Sequence, residues 1–472
     1  MINHSFISGK FPNDLKCADV CPIYKKGNAL DVKNFRPVSI LPSMSKLFER
    51  EMVNQLSSYF DNIFHNVISG FRKKHSCETV LLRMIENIKS ALDQGKIACV
   101  MLMDLSRAFD CIPYKLFISK LKSYGLSPDA CALVLNYYCC RKQRVKLGNT
   151  CSEWDNVIKG SAQGSLMGPL SYNMFSNDMI YIIDDDIDIY NYADDNTLVC
   201  SGYVYEDVKE KLLLNANKVT GWFENNFMKV NQDKFQCIVF GKYDDLGTFR
   251  VDNHDIIPED TVKILGLTVD CKLKFDVHLS NVCQKAGRQI KVLSRLCNTL
   301  DRPCKMMLYN SYIECYFNYC SNLWHFCRNS DTYKIEKLQA KALRLITNNH
   351  HDSYSILLRI CEKSPLYVVR IRKLLETVFK IKHHDCPKYL SSLITSKHNV
   401  FNLRASDTLV TPKFKSVKYG KNSFTYFAPF HWNILTNECK NAGCKKSFKL
   451  NVNEWMPMCA CGFCVLCTIL NM

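Results

Sequence analysis

The segment DIDIYNYADDNTLVCSG, from Asp186 to Gly202, sets two adjacent carboxylates between two apolar runs. Ile187, Ile189 and Tyr192 precede Asp194 and Asp195, and Thr197, Leu198 and Val199 come after them. The alternation on either side predicts a strand, a tight turn and a second strand. Ala-Asp-Asp-Asn is good turn chemistry, since Asp and Asn tolerate turn backbone and bond to their own main chain. On this stretch alone the acid pair reads either as a polar turn or as the tip of a functional hairpin. Partners elsewhere in the chain decide between the two.

The chain has 472 residues, 47% of them hydrophobic and 23% charged, which fits a folded protein of two to four domains or one multi-lobed enzyme. Its 62 Lys and Arg outnumber 45 Asp and Glu, for a net charge of +17. Such a surplus favours polyanionic partners. No run approaches the roughly 20 apolar residues that span a bilayer. The first residues, MINHSFISGKFPNDLKC, lack the pattern of a secretory signal. The 26 cysteines are scattered, so they read as reduced thiols of an intracellular protein, nuclear or cytoplasmic and not secreted. Without a disulfide framework, stability must come from the apolar core.

Residues 21–42, CPIYKKGNALDVKNFRPVSILP, read as strand, basic turn and strand. Amphipathic periodicity predicts helices over 45–60, 77–93, 168–179 and 206–227, the last with Val208, Leu212, Ala216, Val219 and Phe223 on one face. RVKLGN (144–149) followed by EWDNVIKG (153–160) reads as a hairpin. From 272 to 347 the pattern is helical and basic, with 13 Lys and Arg against 5 Asp and Glu. Beyond 348 the pattern is mixed, and SFTYFAPFHWNIL is its dense aromatic run.

A third acid, Asp104, ends the apolar run of KIACVMLMDLS, where a carboxylate either caps the next turn or serves a site. Three carboxylates converging from strand ends repel one another and need a counter-charge. Mg²⁺ takes oxygen ligands of this kind, and two ions about 3.5–4 Å apart clamp the oxygens of an in-line phosphoryl displacement. Between the acid blocks lies KGSAQGSLMGPLSYNMFSND, a Gly-rich turn before a helix, in which Gln163 sits between small residues where a base or sugar could approach.

The blocks NFRPVSILPSMSKLFER, SGFRKKHSCETVL, DLSRAFDCIPYKLFISKLKSYGL, RKQRVKLG, GSAQGSLMGPLSYNMFSND, YADD, MKVNQDKFQCIVF and KILGLTVD succeed one another in this order. Together they resemble the reverse transcriptase of non-LTR (LINE-type) retrotransposons, and within that group the jockey-like branch, over about residues 10–348. More loosely, NSFTYFAPFHWNIL with KKSFK resembles the C-terminal tails of such elements.

The resemblance implies an α+β right-hand polymerase. Fingers would occupy 1–95, and the palm, with part of the fingers, 96–270. The palm would be a βαββαβ antiparallel sheet with helices on one face. A basic helical thumb would cover 271–348, and a mixed C-terminal region 349–472. The activity implied is RNA-directed DNA polymerisation from dNTPs on an RNA template with a DNA primer or target. Asp104, Asp194 and Asp195, with the carbonyl of Leu105, would hold two Mg²⁺ (or Mn²⁺). Phe109 would lie under the sugar and exclude a 2′-OH. Lys25 or Lys26, with Arg36, would grip triphosphate, and Gln163 and Lys234 would flank the nucleotide. Leu265 and Gly266 resemble the grip on the primer end. Arg72 reads as a template contact or a plain surface arginine. Arg141, Lys142 and Arg144, beside Tyr137 and Tyr138, read as a single-strand binding cluster or a solvated loop.

Two positions depart from the family pattern: Ala162 stands where Pro is usual, and Arg107 where Lys is usual. The family also carries an endonuclease ahead of the polymerase, whereas this chain starts about twenty residues before the fingers hairpin. The expectation is therefore a truncated element, a fragment of a longer frame, or a partner of a separate nuclease. A remnant that binds nucleic acid without polymerising is the alternative reading. The final CACGFCVLC spaces Cys459, Cys461, Cys464 and Cys467 within a few residues, either as a tight Zn²⁺ site or as an apolar tail.

Overall fold

The computed structural model describes residues 2–105, 108–243, 245–397 and 407–455. Arg107 and the four tail cysteines lie outside them. Strands β1 (Cys17–Tyr24) and β2 (Phe35–Ile40) pair antiparallel across the Lys25–Asn34 loop, as the sequence predicts. The first segment of the central sheet is β3 (Ile97–Met103). Strand β4 (Arg141–Leu147) joins β1 in parallel, and β5 (Thr150–Cys151) and β6 (Asp155–Val157) fold back on β4. The acid hairpin is β7 (Ile187–Tyr192) and β8 (Asp195–Gly202). With β9 (Gln236–Phe240) it completes a sheet in the order β7-β8-β3-β9, antiparallel throughout. Two small hairpins come next, β10 (Phe249–Val251) with β11 (His254–Ile256), and β12 (Thr261–Ile264) with β13 (Leu267–Asp270).

The parity of β3 organises the core, because successive side chains point to opposite faces. Ile97, Cys99, Met101 and Met103 enter one core with Leu198, Cys237 and the face Val208, Leu212, Ala216, Val219 and Phe223 of helix Tyr205–Asn225. Ala98 and Val100 enter the other, with Val80, Leu81, Met84, Ile85 and Ile88 of helix Cys77–Asp93. Helices therefore cover both faces of the sheet. This corrects the expectation of helices on one face, and the reason is that β3 is apolar at even and odd positions alike. A strand apolar on both sides needs two covers.

Helices Asp276–Arg295, Arg302–Tyr312 and Asn329–Thr347 continue the second core. Buried Glu336 ties them to helix Leu366–Lys382. It accepts the Tyr354 hydroxyl (2.6 Å) and the amides of Leu366 (3.0 Å) and Tyr367 (2.7 Å), capping the first turn of that helix. Beyond it, helices Phe424–Asn433 and Lys445–Glu454 are linked to extended and 3₁₀ stretches, so the C-terminal region is mixed. It packs on helix Cys77–Asp93. Glu86 accepts the Thr425 amide (2.9 Å), Lys89 donates to the Asn422 carbonyl (2.8 Å), and Asp93 accepts the Ser416 amide (2.7 Å).

Trp432 is fully buried, stacked on Phe448 with centroids 5.8 Å apart. Trp432→Ala is expected to cost about 3–5 kcal/mol. Ile257→Ala, at a 76% exposed side chain, should stay within about 0.5 kcal/mol. Denaturant unfolding of the two variants measures the difference.

Candidate active site

Tyr192 pairs with Asp195, so Ala193 and Asp194 alone form the hairpin turn. Ala193 takes a left-handed backbone, φ 57°. A buried amide pair holds it: Asn191 Nδ2 donates to Asn196 Oδ1 (2.8 Å) and to the Ala193 carbonyl (3.0 Å), and Asn196 Nδ2 donates to the Asp194 carbonyl (3.1 Å). Gly70 lies against the turn so closely that a Cβ there would stand 2.4 Å from the Ala193 amide nitrogen. Across the sheet Met103 pairs with Asn196, which sets the next residue, Asp104, beside Asp195. Two hydrogen-bond registers thus gather the three acids at one sheet end.

Two clefts meet there. Asp194 lines one of about 620 Å³, Asp195 lines one of about 430 Å³, and Asp104 and Lys234 line both. Neighbouring acids on a hairpin point to opposite sides, so each cleft receives one. Lys234 Nζ donates to Asp104 Oδ2 at 2.7 Å. The loss of water around the Asp195 carboxyl, then the charges of Asp194 and Asp104, push it up to about 6. Desolvation and Asp104 also raise Asp194, while Arg36 and Lys234 pull it down. Among the described residues no three acid, His or Cys side chains converge tightly enough to hold a metal by themselves. The donor set nevertheless fits a hard cation, because all three acids offer oxygen and two are short of positive charge. Leu105, buried, bridges to Val230, and the Asp104 carbonyl accepts the Asn231 amide (3.2 Å).

The larger cleft collects Lys25, Arg36, Phe109 and Gln163. Lys26 is not among its walls. Lys33 and Phe71 are, although nothing in the sequence pattern singles out either. Gln163 donates from Nε2 to both Asp110 carboxylate oxygens at 3.1 Å, and its carbonyl accepts the Ser39 amide (2.7 Å). Gly164 has φ 133°, and a Cβ there would meet the Ser39 carbonyl at 2.6 Å. Two backbone hydrogen bonds close the turn around Ala162. Ser161 N–H donates to the Phe109 carbonyl (2.8 Å) and Ser165 N–H to that of Ala162 (3.0 Å). Fully buried Glu49 accepts the Leu166 amide (2.7 Å) and the Tyr137 hydroxyl (2.8 Å). The sequence carried a signal for Glu49, an acid on the apolar stripe of Phe48 and Met52.

The smaller cleft takes in Leu265 of the turn between β12 and β13. Leu265 and Gly266 both have positive φ, 45° and 86°. Tyr319 donates its hydroxyl to the Leu265 carbonyl, which fixes the turn.

The basic cluster divides. Arg141 is 4% exposed and donates to the Tyr137 carbonyl (3.0 Å), and Tyr137 and Tyr138 are core residues. Arg141 is thus a brace and is not exposed for a template. Helix Pro128–Tyr138 packs both tyrosines inward, where their hydroxyls reach Glu49 and Ser171. Lys142 and Arg144, with the buried Arg141 in the same wall, line a third groove of about 540 Å³ that shares Pro37, Asp110, Ser161, Ala162 and Gln163 with the larger cleft. Arg144 pairs with Asp19 (2.7 Å) and lies over Trp154. Arg72 also turns inward, donating to the carbonyls of His65 (3.2 Å) and Ile68 (3.1 Å) and to Asp61 (3.2 Å).

A carboxyl lifted by folding holds its proton more tightly folded than unfolded, so ionising it removes stability. For Asp195 that loss runs from about pH 4 to above about 6. In EDTA, Asp195→Asn is therefore expected to raise the melting temperature at pH 8 and leave it unchanged at pH 4. The gain should be on the order of 1 kcal/mol, since the open cleft screens the charges.

Residues 23–269 match the model of the family described as "Reverse transcriptase (RNA-dependent DNA polymerase)". The chain is 27% identical over 352 residues to the RNA-directed DNA polymerase from mobile element jockey of Drosophila melanogaster, covering 72% of this chain and 38% of that protein. It is 27% identical over 354 residues to the probable RNA-directed DNA polymerase from transposon BS of the same organism, covering 72% and 39%. The chain thus spans under two fifths of the length of these relatives. Telomerase from Candida albicans, solved with a TWJ fragment of telomeric RNA, aligns at 10% identity over 78% of this chain and 65% of that one, TM-score 0.41, too low to carry an argument. The family match covers more than half of the residues, acid hairpin included: the chain belongs to the reverse transcriptase family.

Proposed function

We propose that the chain is the RNA-directed DNA polymerase of a non-LTR retrotransposon, adding a dNTP to a primer 3′-hydroxyl on an RNA template. The observation that carries this is the meeting of two clefts at Asp104 and Lys234, one lined by Asp194 and the other by Asp195. A polymerase needs this geometry, because its nucleotide and its primer end approach one point from opposite sides. Residues 1–95 would act as fingers, 96–270 as palm with part of the fingers, the β7-β8-β3-β9 sheet at its centre, and 271–348 as thumb.

In this reading the larger cleft takes the nucleotide. Lys25, Lys33 and Arg36 face its phosphates, Phe109 excludes a 2′-OH, and Gln163, held by Asp110, borders the base and sugar. The smaller cleft takes the primer end, held by Leu265 and Gly266. Lys142 and Arg144 line the groove through which a template would enter. Asp104, Asp194, Asp195 and the Leu105 carbonyl would hold two Mg²⁺. When bound, such ions polarise the phosphoryl oxygens and neutralise the charge that builds as pyrophosphate leaves. Lys234 keeps Asp104 oriented between the clefts. Glu49 and Tyr319 act as positioning residues for the Gln163 turn and the primer turn.

The test is dTTP incorporation on a poly(rA)/oligo(dT) hybrid with Mg²⁺. The Asp194→Ala, Asp195→Ala double variant should fall by at least about two to three orders of magnitude. Equal incorporation by both proteins would reject the site. Phe109→Ala should accept rNTPs that the parent refuses. Hybrid binding should weaken linearly in log K against log salt for all variants.

A further inference from the structure

Phe71 is 59% exposed, yet its backbone is left-handed at φ 58°. A bulky L-residue there is strained, and an exposed ring returns nothing to the core. Both flanks hold it in place. Gly70 is wedged on the Ala193 turn, and its carbonyl accepts Asn173 Nδ2 (2.6 Å). Arg72 is clamped to the carbonyls of His65 and Ile68 and lies 5.2 Å over the Phe64 ring. The ring is therefore projected into the cleft that holds Asp194, Arg36 and Gln163, edge-on to Phe109 with centroids 6.2 Å apart.

We infer that Phe71 stacks on the templating base, the one that pairs with the incoming nucleotide. This rests on the polymerase reading. The primer-side cleft of Asp195 and Leu265 does not include Phe71. On the nucleotide side, Lys25, Lys33 and Arg36 suit phosphates and Phe109 the sugar. What remains for an exposed ring is the π face of a base, and base–aromatic stacking is indifferent to base identity, as a template reader must be. Arg72, read from the sequence as a template contact or a plain surface arginine, is the brace, and the phenylalanine before it is the contact.

The test uses the full chain on an RNA template carrying 5-iodouridine at the templating position, annealed to a DNA primer and irradiated. A stacked aromatic cross-links, and the adduct is expected on Phe71. Phe71→Gly relieves the left-handed backbone and so keeps the fold; it should abolish the adduct. Phe71→Trp should retain it. The same Gly variant should lower kcat/KM for the correct dNTP by about 5- to 100-fold, the range of one lost stacking contact. Its hybrid affinity should fall by no more than the same factor and keep the parent's slope against log salt, because phosphate contacts set that slope. An adduct that persists in Phe71→Gly, or that maps to another residue, overturns the inference. An adduct on Phe71 without dTTP incorporation by the parent chain would sink the polymerase reading alone.

Discussion

Three like charges at the end of one sheet are the constraint around which the rest is arranged. Asp104 and Asp195 are neighbours because the register of β3 on β8 pairs Met103 with Asn196, and a one-residue slip would send the side chains of the slipped strand to the opposite face. The repulsion is met locally by one ammonium, Lys234 on Asp104, and by the more distant field of Arg36. The segment that delivers Lys234 crosses the end of β3 through the Leu105–Val230 bridge. The fold thus delivers the backbone of Lys234 to the acids, and its side chain stays 56% exposed in the clefts.

The hairpin, its acids and the strand of Asp104 were legible because alternation and turn chemistry are short-range signals. Helix Cys77–Asp93 was legible to the residue, with a Ser76 capping box at its start. Which donors face a cleft was not legible. Arg72 and Arg141 look like surface cations in one dimension, and each spends its guanidinium on backbone carbonyls that sequence does not display. Phe71 and Lys33 carry no periodicity at all. The second cover on the palm sheet was missed for a related reason: a strand apolar on both faces says that two covers exist and leaves open which distant segments supply them.

Buried polar groups do much of the fastening between distant parts of the chain. Glu49 joins two helices to the Gln163 turn, Glu336 joins helix Asn329–Thr347 to helix Leu366–Lys382, and Glu86 with Asp93 joins the C-terminal region to helix Cys77–Asp93. Each carboxylate satisfies amides that would otherwise be orphaned at a helix start or a turn. Such ties favour one arrangement of the helices over many that bury equal apolar area.

The clasp between helix Cys77–Asp93 and the C-terminal region joins residues 322 to 339 apart in the chain. Synthesis runs from the N-terminus at about 5–20 residues per second, so the helix emerges roughly tens of seconds before the segment that covers it. Through that interval Glu86, Lys89 and Asp93 lack their C-terminal partners. The helix and the segment that clasps it are thus made far apart in time, and the joint between them is completed late in synthesis.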